Sequence, residues 1–509
     1  METIKNLEKG MRTEIQIDDI TDMGQGIGRC EGMAVFVDGA LPGDKVLAEF
    51  TKIKKNYAMA KTVEVLEFSS NRTGDNCIYR KKGCGGCLFD GYAYEGQLLL
   101  KEKQVKDKIT RLAGIENPTI EKIIGMDDPY NYRNKAQMPV AEEDGTIKIG
   151  FFKGKSHSVI NCKNCRLQRE PVAAVAEALR QYMKECKVKA FNAEKGTGLI
   201  RHIVVKTAPG TGEVMVIIVA SEKTLPNMER LAELLDDAVY AIPTCDISKM
   251  AEEDITEECF GKYSLESIVI NVNKNKKPGG SVLGDDCITI AGKPTILEEV
   301  GGMKFEISPL AFYQVNPVQM EKLYGKVLEY CQLEGTETVF DLYCGVGTIG
   351  LFAAKQMVEK YMQSHDGQLD YNELGCVYGI ESVKGAVIDA NRNAVINGIV
   401  NARYVCGKAE EEIDKLAELA EKDPDVVIID PPRAGCDARL LEAVAKSAPK
   451  RIVYVSCDPA TMARDIKLLS EGFEGVETKY EFERATPVDM FPQTGEIECV
   501  TLLVQQKTK

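Results

Sequence analysis

The stretch "VYVSCDPATMARD" (453–465) decides how the rest of the chain reads. Its β-branched run at 453–455 predicts a strand, and Cys457 stands where that strand ends. Asp458 and Pro459 break the strand, and 460–465 begins a helix. A thiol at the tip of a strand points into the space where α/β enzymes keep their ligands. Two readings are open: Cys457 is a nucleophile, or it is a small residue that fits a turn.

Outward from this point, residues 311–509 alternate strand-like and helix-like segments. The strands expected are "ETVFDLYC" (337–344), "GCVYGIES" (375–382), "DVVIIDPP" (425–432), "RIVYVSCD" (451–458) and "ECVTLLVQQ" (498–506). Helices fit near 348–363, 383–397, 437–447 and 459–471, which makes an open α/β sheet with mostly parallel central strands. Residues 357–375 are longer than such a connection needs and read as an insertion.

In "VFDLYCGVGTIGL" (339–351) a strand runs into a glycine turn and then a helix. Gly345 and Gly347 let the backbone approach a ligand, and Asp341 accepts hydrogen bonds at the strand end. The spacing D-x-x-x-G-x-G is not G-x-G-x-x-G, so a dinucleotide pyrophosphate fits poorly and S-adenosylmethionine fits better. Glu381 ends the next strand, where an acid would hold ribose hydroxyls. In "IIDPPRAG" (428–435) Asp430 ends a further strand, and Arg433 follows the prolines. An aromatic there would stack on an adenine or cytosine whose amino group is methylated, and a cysteine there would suit a cytosine-C5 enzyme. Arg433 argues against both.

The N-terminal third has another texture. Residues 12–66 are short β-rich runs punctuated by glycines, as in a small barrel, and 93–114 is helical with Leu98, Val105, Ile109 and Leu112 on one face and Gly114 as C-cap. A mixed α+β segment follows. The expected division is a barrel at 1–68, a central domain at 69–310 and a catalytic domain at 311–509, with helix 93–114 packing on the last.

The chain has 509 residues and a formal charge of −14, which argues weakly against nucleic acid. Basic stretches at 52–61, 79–83, 132–137 and 273–277 read singly as solvated surface and together as a groove. No apolar run is long enough to span a bilayer, and the charged N-terminus lacks a signal-peptide core, so a cytoplasmic protein is expected. Seventeen cysteines then need a reason other than disulfides. Cys77-x6-Cys84-x2-Cys87 and Cys162-x2-Cys165 are tightly spaced; the two C-x2-C pairs alone suggest a zinc site from Cys84, Cys87, Cys162 and Cys165.

These motifs carry a resemblance. The chain resembles the RNA uracil-C5 methyltransferases, the family holding the tRNA (uracil-5-)-methyltransferase and 23S ribosomal RNA enzymes. "GIGRCEGMAVFVDGALPGD" is similar to the family's TRAM domain, an OB-like RNA-binding barrel, and "SPLAFYQVNP" (308–317) to the motif whose glutamine, here Gln314, contacts cofactor and active site. "DLYCGVGTIGL", "DPPRAG", "VSCDPATMARD" and "MFPQTGEIECV" (490–500) follow in the family's order. The resemblance implies a Rossmann-like S-adenosylmethionine domain in which Cys457 is the nucleophile and Glu498 the base. It places Tyr343, Thr348, Glu381 and Asp430 at cofactor-contacting or adjacent positions. It also implies a [4Fe–4S] cluster on Cys77, Cys84, Cys87 and Cys165, with Cys162 a bystander, and a flipped uridine in RNA as substrate. 23S ribosomal RNA is the target expected, with tRNA open, and the protein is expected to be a monomer. Two positions depart from the pattern: Lys408 stands where an Asp or Asn is usual near the adenine, and Glu496 where a histidine is common. A helix start and Arg464 are expected to lower the Cys457 thiol.

Overall fold

The computed structural model describes residues 7–74, 77–250, 254–275 and 280–506. Strands β1 (Arg12–Ile20), β2 (Gln25–Cys30), β3 (Met33–Asp38), β4 (Lys45–Ile53) and β5 (Tyr57–Glu67) close into a barrel in the order β1-β2-β3-β5-β4. Side chains alternate across each strand, so Ile15, Ile17, Val35, Val37, Val46 and Phe50 fill the interior. Gly28 permits the closure: a Cβ there would lie 2.3 Å from the carbonyl oxygen of Gln16. The barrel's exit is tied down by Asp44, which is buried and paired with Arg72 at 2.7 Å.

A short helix α1 (Ile78–Lys81) leads to α2 (Tyr94–Lys108), prolonged by one wide π-type turn and stopped at Gly114, whose φ is +75°. Val105 and Ile109 of this segment join the core of the catalytic sheet with Phe340 and Tyr454. The expected apolar face is only partly right. Leu112 is 45% exposed, and Gln97 and Lys101 are buried instead, because their partners lie on a distant loop.

The central sheet has seven strands: β6 (Lys135–Glu143), β7 (Thr146–Phe152), β8 (Val159–Asn161), β9 (Ile200–Ala208), β10 (Glu213–Ala220), β11 (Ser264–Val272) and β12 (Asp286–Gly292). One face packs on helices α3 (Glu170–Glu185) and α4 (Met228–Tyr240). The other face continues into the catalytic core through hairpin β13 (Ile296–Val300) and β14 (Met303–Ile307). The basic stretch 132–137 is part of this packing, with Tyr132, Asn134 and Ala136 buried, so it is not a solvated surface. Lys276 and Lys277 of 273–277 lie outside the described residues.

Helix α5 (Pro317–Cys331), capped by Asn316, opens the catalytic fold. It continues β15 (Thr338–Leu342), α6 (Thr348–Ser364), β16 (Cys376–Glu381), α7 (Lys384–Ile396), β17 (Ala402–Cys406), α8 (Ala409–Ala420), β18 (Val426–Ile429), α9 (Ala438–Lys446), β19 (Arg451–Ser456), α10 (Pro459–Glu471), β20 (Tyr480–Val488) and β21 (Glu498–Gln505). The sheet order is β17-β16-β15-β18-β19-β21-β20, with β21 antiparallel to both its neighbours. The order reverses between β15 and β18, which opens a ligand crevice beyond their carboxyl ends. The expected insertion at 357–375 is corrected: α6 runs to Ser364 with Met357 and Tyr361 buried, so only 365–375 is additional loop. Among the described residues no helix is long and apolar enough to cross a membrane.

Candidate active site

At the crevice the backbone is forced into left-handed conformations. Tyr343 has φ +63°, Gly345 +56° and Gly347 +79°. A Cβ on Gly347 would lie 2.8 Å from the Tyr404 ring, so this turn demands glycine for space as well as for φ. Asp341 is buried. Its Oδ2 accepts the Gly350 N–H at 3.0 Å, while Oδ1 is buried with no partner among the described residues. Glu381 accepts N–H bonds from Gly345 (3.2 Å) and Val383 (2.8 Å), joining the ends of two strands. Thr348 Oγ1 and Tyr324 OH are hydrogen-bonded at 2.9 Å. Gln314 is held by its backbone, whose carbonyl accepts from Asn134 Nδ2 at 3.0 Å.

The opposite wall comes from three neighbouring strand ends. Asp430 follows β18 and Cys457 follows β19. The antiparallel pair Ser456 with Cys499 leaves Cys457 opposite Glu498, the first residue of β21. Asp458 fixes the exit by accepting the N–H groups of Ala460 (2.8 Å) and Thr461 (3.3 Å) as the cap of α10. One cavity of about 540 Å³ is lined by Gln314, Tyr343, Thr348, Glu381, Asp430, Cys457 and Glu498, all seven of the residues expected at the cofactor and catalytic positions. Tyr324 and Phe312 line it too and went unnoticed in the sequence, where Tyr324 shows only as one apolar position of α5. Lys408 does not line it; its ammonium pairs with Glu411 at 2.9 Å.

The electrostatics are those of an acid cluster short of cations. Burial and the neighbouring Asp430 charge push Asp341 up to about 8, and burial pushes Asp430 up to about 7. Burial, with Asp430 and Glu496 nearby, lifts Glu498 well above the usual carboxylate range. The Cys457 thiol is pushed up to about 11 by burial and by Glu498, against the pull of Arg433. The expected lowering by Arg464 is thus corrected. That guanidinium is engaged by Asp465 and the carbonyls of Ala434 and Cys436, and the cation that reaches the thiol is Arg433. Arg433 is itself held by Glu496, one of the two departures noted above. A cavity walled by raised carboxyls, one with an orphaned oxygen, fits a ligand carrying positive charge, as the sulfonium and ammonium of S-adenosylmethionine do.

Away from this cavity, Cys77, Cys84, Cys87 and Cys165 come within electrostatic reach of one another, and burial with the other thiols pushes Cys87 up to about 12. The Cys162 thiol hydrogen-bonds to Cys165. Among the described residues, no three Cys, His, Asp or Glu side chains form a group able to hold a metal ion.

The family profile described as tRNA (Uracil-5-)-methyltransferase matches residues 299–506, and the TRAM domain profile matches residues 7–63. An uncharacterized RNA methyltransferase of Caldanaerobacter subterraneus subsp. tengcongensis is 40% identical over 495 residues, covering 97% of this chain and 98% of that protein. Another, from Clostridium acetobutylicum, is 38% identical, with 99% of each chain covered. The crystal structure of Pyrococcus abyssi tRNA (uracil-54, C5)-methyltransferase in complex with S-adenosyl-L-homocysteine superposes with a TM-score of 0.68 at 26% identity, covering 97% of this chain and 100% of that one. With a TRAM barrel at its N-terminus and a cofactor crevice in its C-terminal sheet, this chain belongs to the RNA (uracil-5-)-methyltransferase family.

Proposed function

We propose that this enzyme methylates C5 of a uridine in 23S ribosomal RNA through a covalent adduct of Cys457 with C6 of the base. The observation that carries this reading is the meeting of Cys457 and Glu498 on adjacent strand ends in the same cavity as the cofactor-side residues. When bound, S-adenosylmethionine supplies an electrophilic methyl group. Asp341 and Glu381 hold its ammonium and ribose ends, and Gln314, Tyr343, Thr348 and Asp430 shape the space between them and the target base.

Uracil C5 is a poor nucleophile until a thiolate adds to C6 and converts the ring to an enolate. Cys457 gives its proton to solvent and adds to C6 as thiolate; C5 takes the methyl group as the sulfonium S–C bond breaks and a neutral thioether leaves; Glu498, as carboxylate, removes the remaining C5 proton; the thiolate then departs from C6. The elevated affinity of Glu498 for a proton suits that last step, since a stronger base takes a carbon-bound proton more readily. The barrel supplies backbone affinity for the RNA from which the uridine is flipped.

Cys77, Cys84, Cys87 and Cys165 are the ligands proposed for a [4Fe–4S] cluster, with a structural role in shaping the RNA-facing surface. The packing of α1 against the loop bearing Cys165 supports this, the Tyr79 hydroxyl accepting the N–H groups of Lys163 and Asn164 at 3.0 and 3.3 Å. A tRNA target is the second reading, favoured by the resemblance to the Pyrococcus abyssi enzyme.

Nucleoside mass spectrometry after incubation with labelled cofactor tests the reading on ribosomal RNA and tRNA separately. Labelled 5-methyluridine from 23S RNA is expected. Label in tRNA alone selects the second reading, and 5-methylcytidine refutes both. Two variants test the order of steps. Cys457→Ala should form no covalent species, and Glu498→Gln should accumulate a denaturation-resistant adduct carrying the methyl group. Normal turnover by Glu498→Gln defeats the base assignment.

A further inference from the structure

The loop 489–497, which delivers Glu498 to the cavity, is fixed from outside the catalytic fold. Tyr94, Gln97 and Lys101 lie on one face of α2, three and four residues apart. Tyr94 OH donates to Asp489 Oδ2 at 2.8 Å. Lys101 Nζ donates to Asp489 Oδ1 at 2.6 Å and to the Phe491 carbonyl at 3.0 Å. Gln97 and Gln493 bond reciprocally: Gln97 Nε2 donates to Gln493 Oε1, and the Gln493 N–H donates to Gln97 Oε1, each at 3.1 Å. Gln97, Lys101, Asp489 and Gln493 are all buried.

The cysteine loop grips the same turn. The N–H groups of Leu88 and Phe89, the two residues after Cys87, both donate to the Gln493 carbonyl, at 2.8 and 3.2 Å. Gln493 sits at φ +69°, a conformation that a residue with a side chain keeps only when its surroundings impose it. A Cβ on Gly495 would lie 2.9 Å from both the Asp22 carbonyl of the barrel and Leu88 Cδ1, so the loop is pressed between barrel and cysteine loop.

A buried polar network is an inefficient way to gain stability, since apolar side chains of similar volume serve as well. What it provides is a fixed geometry. A base must sit within hydrogen-bond reach of the proton it removes, and a displacement of about 1 Å can cost a hundredfold in rate. We infer that Tyr94, Gln97 and Lys101 are positioning residues for Glu498, acting through 489–497 to set where its carboxyl meets the C5 proton. This rests on the reading of Glu498 as the base. It also links the elements that would face RNA, the barrel and the cysteine loop, to the last chemical step.

The test is single turnover with excess full-length enzyme and methyl-labelled cofactor. The RNA is an unmodified transcript of whichever of 23S ribosomal RNA or tRNA the wild type labels. Adduct formation and adduct resolution are followed on denaturing gels. Gln97→Met keeps the side-chain volume and removes the reciprocal bonds; Tyr94→Phe removes one oxygen and carries the test if the first variant does not fold. Resolution of the methylated adduct should slow about tenfold or more while its formation stays within about twofold of wild type. Resolution at the wild-type rate in a folded variant overturns the inference, as does equal slowing of formation and resolution. Glu498→Gln run alongside separates the two claims. If it accumulates no adduct, the base assignment falls and the inference with it; if it does and the α2 variants do not, the inference falls alone.

Discussion

Cys457 sits between opposing charges. Burial and the nearby Glu498 push its thiol up to about 11, and Arg433 pulls it back. A group whose ionised form is disfavoured reacts faster as pH rises toward its pKa, so alkylation of Cys457 in the free enzyme should climb between about pH 7 and 10. Arg433→Gln removes the opposing cation. The sign is fixed: the thiol moves further up, and at any pH below it the thiolate fraction falls. Arg433 is 70% exposed, so solvent screens it and the effect should be modest, about 0.5–1 kcal/mol or a few-fold in rate. Iodoacetamide labelling read on the Cys457 peptide by mass spectrometry checks this; a faster reaction in the variant contradicts it. At this scale the motifs singled out residues that the fold brings to one cavity, as with Cys457, Asp430 and Glu498. It misled at Arg464, because that arginine lies seven positions from the thiol in sequence, whereas Arg433 is brought to it only by the fold and Arg464 is turned to Asp465.

The turn between β15 and α6 contains two glycines that do different work. Gly347 is left-handed and hemmed in, with Tyr404 and Ala390 at 2.8 and 3.0 Å from a notional Cβ; Gly345 is left-handed with nothing within 4 Å, beside the cavity. Gly347→Ala should therefore cost stability twice, through φ and through the clash, by about 2–4 kcal/mol. Gly345→Ala should cost about 1–2 kcal/mol through φ alone, but it places a methyl where the cofactor approaches and should weaken its binding disproportionately. Urea unfolding and titration with S-adenosylmethionine separate the two. Equal losses of stability would show that the space around Gly345 is misjudged. Strand β15 and its sheet neighbours β16 and β18 were legible because central parallel strands are continuous apolar runs. The two the sequence hid, β17 "ARYVC" and β20 "YEFERATPV", are the sheet's edges. Edge strands carry charge and proline by physical necessity, so the signal that betrays a buried strand is absent from them.

Across the whole molecule, the contacts that join barrel, cysteine loop and catalytic sheet pair residues about four hundred positions apart, as Gln97 with Gln493. No periodicity records such pairs. The glycine-punctuated strands announced a barrel, yet nothing local says that Leu88 sits where a Cβ on Gly24 or on Gly495 would have to be. The cysteines pose the same problem, since spacing alone allows two ligand sets. In the fold the segment bearing Cys77 and Cys84 meets the loop bearing Cys165, the Tyr79 hydroxyl accepting the N–H groups of Lys163 and Asn164. Cys162 is buried and interacts with Cys165, whereas Cys77, Cys84, Cys87 and Cys165 are half-buried. With Cys77, Cys84, Cys87 and Cys165 as ligands, anaerobically purified protein should be brown and hold about four irons. Cys162→Ser keeps a hydrogen-bond donor beside Cys165 and should keep the iron; Cys77→Ser removes a ligand and should lose it. The alternative site of two C-x2-C pairs predicts the reverse, zinc without iron, lost with Cys162 and indifferent to Cys77. Metal analysis of these two variants beside the wild type decides between the sets, because each variant removes a ligand from one and spares the other.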